Sequence, residues 1–148
     1  MKITASRQAL LDSLLVVSRA VSARAALQAL SGIHLAAGPD GVQLRATDME
    51  LGLEVSLVGT ADGEGSVVIP GRLLVEVARS LPDGEVGLEL RESERDVEIT
   101  AGSSRFHLRT LAADDFPKTP EPEGDPVELD AQALQQTIAR VARAASRD

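Results

Sequence analysis

The chain has 148 residues, a formal net charge of −8, no cysteine and two residues of the Phe, Tyr and Trp class, both phenylalanine. The lack of cysteine excludes disulfides and thiolate metal sites. No apolar run approaches the roughly 20 residues that cross a bilayer. Because base stacking needs aromatic platforms, we do not expect binding of single-stranded nucleic acid. We therefore expect a cytoplasmic protein with no membrane partner, metal or cofactor.

The first part of the chain is predicted to form a strand, a helix and three further strands. Residues 2–5 form the first strand, and Ser6 is a suitable N-cap for the helix that follows. The spacing of its apolar residues places four of them on one helical face: Leu10, Leu14, Val17 and Val21. Strands are predicted over 32–37, 42–47 and 51–58, with a Gly-Pro-Asp-Gly turn at 38–41.

The same order of elements then occurs a second time. A strand is predicted over 66–70, a helix over 71–81, and strands over 85–90, 96–100 and 105–111. Residues 112–125 are rich in proline and acidic residues, which is typical of a linker. A third start follows, with a strand over 126–130 and a helix from residue 131. The sequence therefore predicts an α+β protein built from repeated βαβββ units.

One segment of the sequence is repeated, with modifications, at an offset of 124 residues. The stretches SRQALLDSLLVVSRAVS (6–22) and DAQALQQTIARVARAAS (130–146) share Gln-Ala-Leu and several later positions. The strand and the helix predicted after residue 125 cannot bury their apolar faces without further chain. We therefore expect one complete domain over residues 1–120. Residues 121–148 would form a linker and the start of a second, truncated domain of a longer protein.

Charge is unevenly distributed along the chain. Residues 1–37 carry a net charge of +3, residues 38–130 carry −13, and residues 131–148 carry +2. In the last helix, Arg140, Arg143 and Arg147 cluster opposite the apolar face, and no carboxylate occurs from 131 to 147. This face is either an ordinary solvated surface or a surface for a polyanion. Arginines on phosphates would bind duplex DNA without sequence preference.

The sequence contains no recognisable active site. His34 and His107 are isolated in predicted strands, where an ordinary structural role is favoured over a ligand or a base. Four acids could in principle serve an acid- or metal-dependent hydrolase, although turn roles are favoured: Asp48, Glu50, Asp114 and Asp115. A second alternative is a protein-interaction module whose arginine face binds acidic partners.

Four stretches together resemble the bacterial DNA polymerase III β subunit family, the sliding clamps. They are MKITASRQALLDSLLVVSRAVSAR, GVQLRATDMELGLEV, VVIPGRLLVEVARSLPDGEV and GSSRFHLRTLAADDFPK, in family order. The resemblance implies a DNA-clamp fold, in which each domain has two βαβββ units and its helices lie on one face of antiparallel sheets. It further implies a non-catalytic processivity factor that encircles duplex DNA as a head-to-tail homodimer. For the full-length protein, the resemblance implies the replicative polymerase and the clamp loader as partners.

The resemblance also implies roles for individual residues. Arg24 matches a family arginine that touches DNA, and the arginines of the last helix would face the same channel. Arg105, Phe106 and Leu108 match the edge strand that meets the partner subunit, with Arg95 as a further charged contact. The chain departs from the family at Ala25 and Gln28, where prolines are frequent, and at Ser103, where a further interface arginine is frequent.

Overall fold

A computed structural model describes residues 1–22, 27–118 and 124–145 of the chain. Three helices and nine strands lie within these ranges. In chain order they are β1 Lys2–Ser6, α1 Arg7–Val17, β2 Gly32–Gly38, β3 Gly41–Thr47, β4 Gly52–Leu57, β5 Gly59–Asp62, β6 Gly65–Pro70, α2 Gly71–Ser80, β7 Glu85–Arg91, β8 Asp96–Ala101, β9 Ser104–Arg109 and α3 Ala131–Val141.

The strands form two antiparallel sheets, and the two βαβββ units exchange their first strands between them. One sheet has the order β5-β1-β7-β8-β9, and the other has the order β4-β3-β2-β6. Strand β1 thus lies beside β7 of the second unit, while β6 lies beside β2 of the first. Because each sheet contains strands of both units, the units share one hydrophobic core.

Helix α1 confirms the predicted helical face. The Ser6 hydroxyl accepts a hydrogen bond from the Ala9 backbone amide at 3.1 Å, which satisfies a free donor of the first turn. The side chains of Leu10, Leu14 and Val17 are fully buried. The helix ends at Val17 and continues as a short 3-10 turn, so the predicted fourth member, Val21, lies beyond it and is half-buried.

Helix α2 lies beside α1, and both helices pack on the apolar faces of the sheets. Its buried side chains include Leu74, Val75 and Ala78, with Leu81 buried just after the helix. The α+β class with helices over antiparallel sheets is therefore confirmed. The core is aliphatic, as the near absence of aromatic residues requires.

The strand predicted over 51–58 corresponds to β4, an edge strand of the four-stranded sheet, and to the residue that leads into β5 of the other sheet. Strand β4 ends at Leu57, and the chain then enters β5, which pairs with β1. Gly59 makes this crossing possible, because a Cβ there would lie 2.5 Å from the Thr4 carbonyl oxygen. All four residues of β5 are exposed, so no apolar alternation reveals this strand in the sequence.

The strand predicted over 126–130 is wrong, because residues 125–130 adopt no regular secondary structure. A strand needs a hydrogen-bonded neighbour, and among the described residues none pairs with this segment. Helix α3 does form as predicted, and the Asp130 carboxylate accepts a hydrogen bond from the Ala133 amide at 2.7 Å. All of its side chains are exposed, including the apolar Leu134, Ile138 and Val141.

Candidate functional site

Strand β9 forms one edge of the five-stranded sheet. It pairs with β8 on one side, and in the described part of the chain no strand pairs with its other side. Its side chains alternate between the two faces: Phe106 and Leu108 turn toward the core, while Arg105, His107 and Arg109 are exposed. An edge strand of this kind presents free backbone donors and acceptors to a partner strand.

The two apolar residues predicted at this edge differ in exposure. Phe106 is half-buried and packs against the margin of the core, opposite Ile99 of β8. Leu108 is only 8% exposed and belongs to the core itself. Leu108 therefore holds the edge strand on the core, and Phe106 is the apolar side chain available at the margin of the edge.

A charged network covers the exposed face of β8 and β9. The Arg91 guanidinium donates to both oxygens of Asp96, from Nε at 2.9 Å and from Nη2 at 2.7 Å. These hydrogen bonds lower the pKa of the Asp96 carboxyl from its ordinary value, since they stabilise the charged form. Asp96 is thereby accommodated as a nearly buried acid in a strand.

His107 and Arg105 extend this network along the edge. Arg91 Nη2 lies 2.8 Å from His107 Nδ1. Because a guanidinium can only donate, Nδ1 accepts, and the ring proton lies on Nε2, which is 3.5 Å from Glu98 Oε2. Arg105 Nε lies 3.7 Å from the same Glu98 oxygen. The prediction that His107 is an ordinary strand residue holds in position, and the structure adds its role as a link between β7 and β9.

Arg95 lies at the other end of the edge, in the turn between β7 and β8. It is exposed and has a positive φ of 54°, and its carbonyl oxygen accepts a hydrogen bond from the Thr110 amide at 3.1 Å. That bond joins the turn to the residue that follows β9. Arg95 and Arg105 are therefore exposed cations near opposite ends of this edge strand.

The outer surface of the helices carries exposed arginines that were not selected from the sequence. Arg19 is exposed in the 3-10 turn after α1, and Arg72 and Arg79 are exposed on α2. The seven-residue spacing of Arg72 and Arg79, two helical turns, was a signal for a common face. Arg72 and Arg79, together with Ser18 and Val21, line an open cavity of about 300 Å³ between α2 and the 3-10 turn that follows α1. The acid Glu76 lines the same cavity.

The predicted DNA-contacting arginines are only partly within the described residues. Arg140 is exposed in the last turn of α3, and Arg143 is exposed in the 3-10 turn that follows it. Arg24 and Arg147 lie outside the described residues. No carboxylate occurs in α3 or in the 3-10 turn that carries Arg143, as the sequence indicates.

The acids of the hydrolase alternative occupy turns. The Asp48 carboxylate accepts hydrogen bonds from the Glu50 amide at 3.0 Å and the Leu51 amide at 2.7 Å. These backbone donors, Leu51 foremost, lower the pKa of Asp48, as expected for a carboxylate that closes a turn. Asp114 and Asp115 lie in a 3-10 turn. In the described ranges, no group of three or more His, Cys, Asp or Glu residues could hold a metal ion.

None of the described helices is long and apolar enough to cross a membrane.

Comparison with known proteins identifies the family of the chain. The family described as DNA polymerase III beta subunit, N-terminal domain, matches residues 1–120. The beta sliding clamp of Micrococcus luteus is 33% identical over 148 residues, which is 100% of this chain and 47% of that protein. The beta sliding clamp of Staphylococcus epidermidis is 34% identical over 149 aligned positions, covering 95% of this chain and 39% of that protein. The chain thus spans less than half the length of these relatives.

Solved structures agree with the fold. The Caulobacter crescentus pol III beta structure superposes with a TM-score of 0.92 at 33% identity, covering 100% of this chain and 41% of that one. The Pseudomonas aeruginosa DNA polymerase III subunit beta gives a TM-score of 0.86, also at 33% identity, over 100% and 41% of the two chains. The DNA-clamp fold is confirmed, and the hydrolase alternative finds no support. This chain belongs to the DNA polymerase III beta subunit family.

Proposed function

We propose that the chain is part of a non-catalytic processivity factor, a sliding clamp that encircles duplex DNA and holds a replicative polymerase on its template. The observation that carries the proposal is that one domain has both an edge strand, β9, and two helices with exposed arginines. Relatives of this chain are named beta sliding clamps. Closure at the edge and cations on the helices are what a ring around DNA requires.

The first part of the proposal is that β9 joins two subunits head to tail. Its free backbone edge supplies main-chain hydrogen bonds, and Phe106 supplies apolar contact at the margin. Arg95 and Arg105 would pair with acids of the partner subunit. Leu108, as a core residue, would hold the strand in place for that contact. Such an interface is heterologous, so two copies form a closed ring only if the complete subunit has the matching second edge.

The second part is that the outer surface of the helices, which carries the exposed arginines, lies toward DNA. Arg72 and Arg79, with Arg19, would contact phosphates without reading bases, and Arg24, Arg140, Arg143 and Arg147 would continue this surface. Because the ring itself prevents escape from DNA, these contacts can be few and weak. The net charge of −13 over residues 38–130 would keep DNA from the outer faces of the sheets.

The third part concerns residues 121–148, which would begin a second domain. Leu134, Ile138 and Val141 lie 124 positions after Leu10, Leu14 and Val17. The three residues of α1 are fully buried, whereas those of α3 are 44%, 53% and 63% exposed. The repeat therefore predicts that further chain covers α3. In that longer protein we place the contacts with polymerase and clamp loader, in the cytoplasm.

Duplex binding by the full-length gene product tests the DNA-facing surface. We expect weak, sequence-independent binding that falls steeply as salt rises. Arg72→Ala with Arg79→Ala should reduce the magnitude of the logarithmic salt slope by up to about 4, because a homodimer carries each arginine twice. Lys2→Ala on the five-stranded sheet removes a cation that is paired with Glu89 at 3.8 Å, and this control should leave the slope unchanged. Strong sequence preference, or binding to acidic proteins in place of DNA, would contradict the proposal.

A further inference from the structure

The segment Leu111–Lys118 follows β9 and lies on the outer face of the four-stranded sheet. The Leu111 amide donates to the Val68 carbonyl at 2.8 Å, and the two residues form an isolated antiparallel bridge. Val67 and Ile69 belong to the main hydrophobic core, whereas Val68, between them, does not. Val68 is nevertheless fully buried. The segment therefore covers an apolar position on the face that the core does not reach.

The far end of this segment is held by an aromatic stack. The rings of His34, on β2, and Phe116 have centroids 5.0 Å apart and an interplanar angle of 23°. His34 Nδ1 is buried and has no hydrogen-bond partner among the described residues. Phe116 is fixed from its own side, because its amide donates to the Ala113 carbonyl at 3.0 Å. A cavity of about 310 Å³ lies beside the stack.

Charges of both signs lie around His34, and the one that affects its pKa is that of Arg45. Arg45 lies directly opposite it on β3, where it is paired with Glu54 at 2.6 Å. Asp114 and Lys118 of the covering segment line the same cavity, and the β6 neighbour of His34 is the apolar Val68. Burial, and secondarily the charge of Arg45, lower the pKa of His34 from its ordinary value of 6.5.

We propose that the His34–Phe116 stack is a proton-sensitive latch that docks residues 112–118 on the four-stranded sheet and releases them when His34 is protonated. A charged imidazolium would carry a buried N–H at Nδ1 with no acceptor and would lie beside Arg45. Undocking exposes the ring to water and removes both penalties. Leu111 stays bound, because its bridge to Val68 involves only backbone and apolar contacts.

The sign of the effect follows from the direction of the pKa shift. A histidine whose pKa is lower in the docked than in the free state stabilises docking fully above the free value, near 6.5. That stabilisation decreases as the pH falls below this value. The consequence for the protein is a change in how the chain leaves the first domain after Lys118. This inference stands on the described residues alone and does not depend on the proposed clamp function.

NMR spectroscopy of this chain between about pH 5 and about pH 8 tests the latch. The His34 ring signal reports its protonation, and the ring protons of Phe116, shifted by the stack, report docking. We expect the Phe116 signals to move to values of a free phenylalanine with a midpoint equal to that of His34 and below 6.5. Ile3 methyl signals, deep in the core, should not move.

Two variants separate the latch from other causes. His34→Phe preserves an aromatic stack without a titrating group, and its Phe116 signals should be constant over the range. His107→Gln removes the only other histidine of the chain and should leave the transition intact. Titration of His34 without movement of Phe116 would overturn the proposal, and so would an equal transition in His34→Phe. If His34→Phe does not fold, coincidence of the two midpoints in His107→Gln decides.

Discussion

Arg91 and Asp96 meet through two parallel hydrogen bonds across the turn that joins β7 to β8, at 2.9 Å and 2.7 Å. Asp96 begins β8, which pairs with β9, and the Arg91 guanidinium also donates to His107 of β9. Planar two-point contact of this kind fixes both side chains in one geometry. The edge strand is thus connected to β7 as well as to β8.

The lowered pKa of Asp96 predicts a specific pH dependence of stability. The charged carboxylate is favoured in the folded state, so its contribution is complete above the ordinary value of 3.8 and is lost as the pH falls through the lower folded value. Asp96→Asn should therefore reduce the free energy of unfolding near neutral pH. Urea unfolding measures this, and the difference from the original chain should shrink as the pH falls below the ordinary value of 3.8. A difference that does not shrink as the pH falls below 3.8 would contradict the assignment.

Gly32 is required where the segment after β9 crosses β2. A Cβ at this position would lie 2.3 Å from Val68 Cγ1, 3.0 Å from Leu111 Cδ1 and 3.2 Å from the Ala29 carbonyl oxygen. Gly32→Ala should therefore cost about 1–3 kcal/mol of stability through overpacking. Gly38→Ala, on the same strand, meets nothing within 4 Å and is the matched control. Thermal unfolding of both variants gives the comparison, and equal losses would argue against this close approach.

Phe106 and Leu108 should behave differently on truncation. Phe106→Ala should shift the proposed dimer of the full-length protein toward monomer while leaving much of the stability of the domain, because Phe106 is only half-buried. Leu108→Ala should cost about 2–5 kcal/mol of folding stability, because it leaves a cavity in the core. Sedimentation velocity of the full-length protein, together with urea unfolding of this chain, separates the two effects. A dimer unaffected by Phe106→Ala would place the interface elsewhere.

The repeat offers a matched pair of substitutions in the helices. Leu14→Ala should destabilise this chain by about 2–5 kcal/mol, since Leu14 is fully buried. Ile138→Ala, at the equivalent position of α3, should change the stability of this chain by less than about 0.5 kcal/mol, because Ile138 is exposed. In the full-length protein Ile138→Ala should become as costly as Leu14→Ala. Urea unfolding of both lengths measures the difference.

Much of this fold could be predicted because local signals were strong. The spacing of Leu10, Leu14 and Val17 predicted α1, and the turn at 38–41 predicted a hairpin that the structure confirms between β2 and β3. Strand β5 could not be predicted, because its four exposed residues show no alternation. Residues 126–130 have strand-like composition without a partner strand, and pairing cannot be inferred from a single segment.

The candidate site was predictable only in part, since its properties depend on distant neighbours. The resemblance selected Arg105 and Phe106 at an edge, and the structure places both on the edge strand. Alternation along β9 could have separated Leu108 from the exposed residues, but its depth depends on packing against the helices. The stack of His34 on Phe116 joins positions 82 residues apart, and no local pattern indicates such a contact.

The proposed ring is tested most directly by whether the full-length protein is linked topologically to DNA. The protein, loaded on nicked circular duplex by a clamp loader, is separated from free protein by gel filtration, and the circle is then cut once. The account predicts that protein stays with the circle at high salt and leaves when the DNA is linear. Equal retention on circular and linear DNA would contradict it, because binding would then come from contact and not from encirclement.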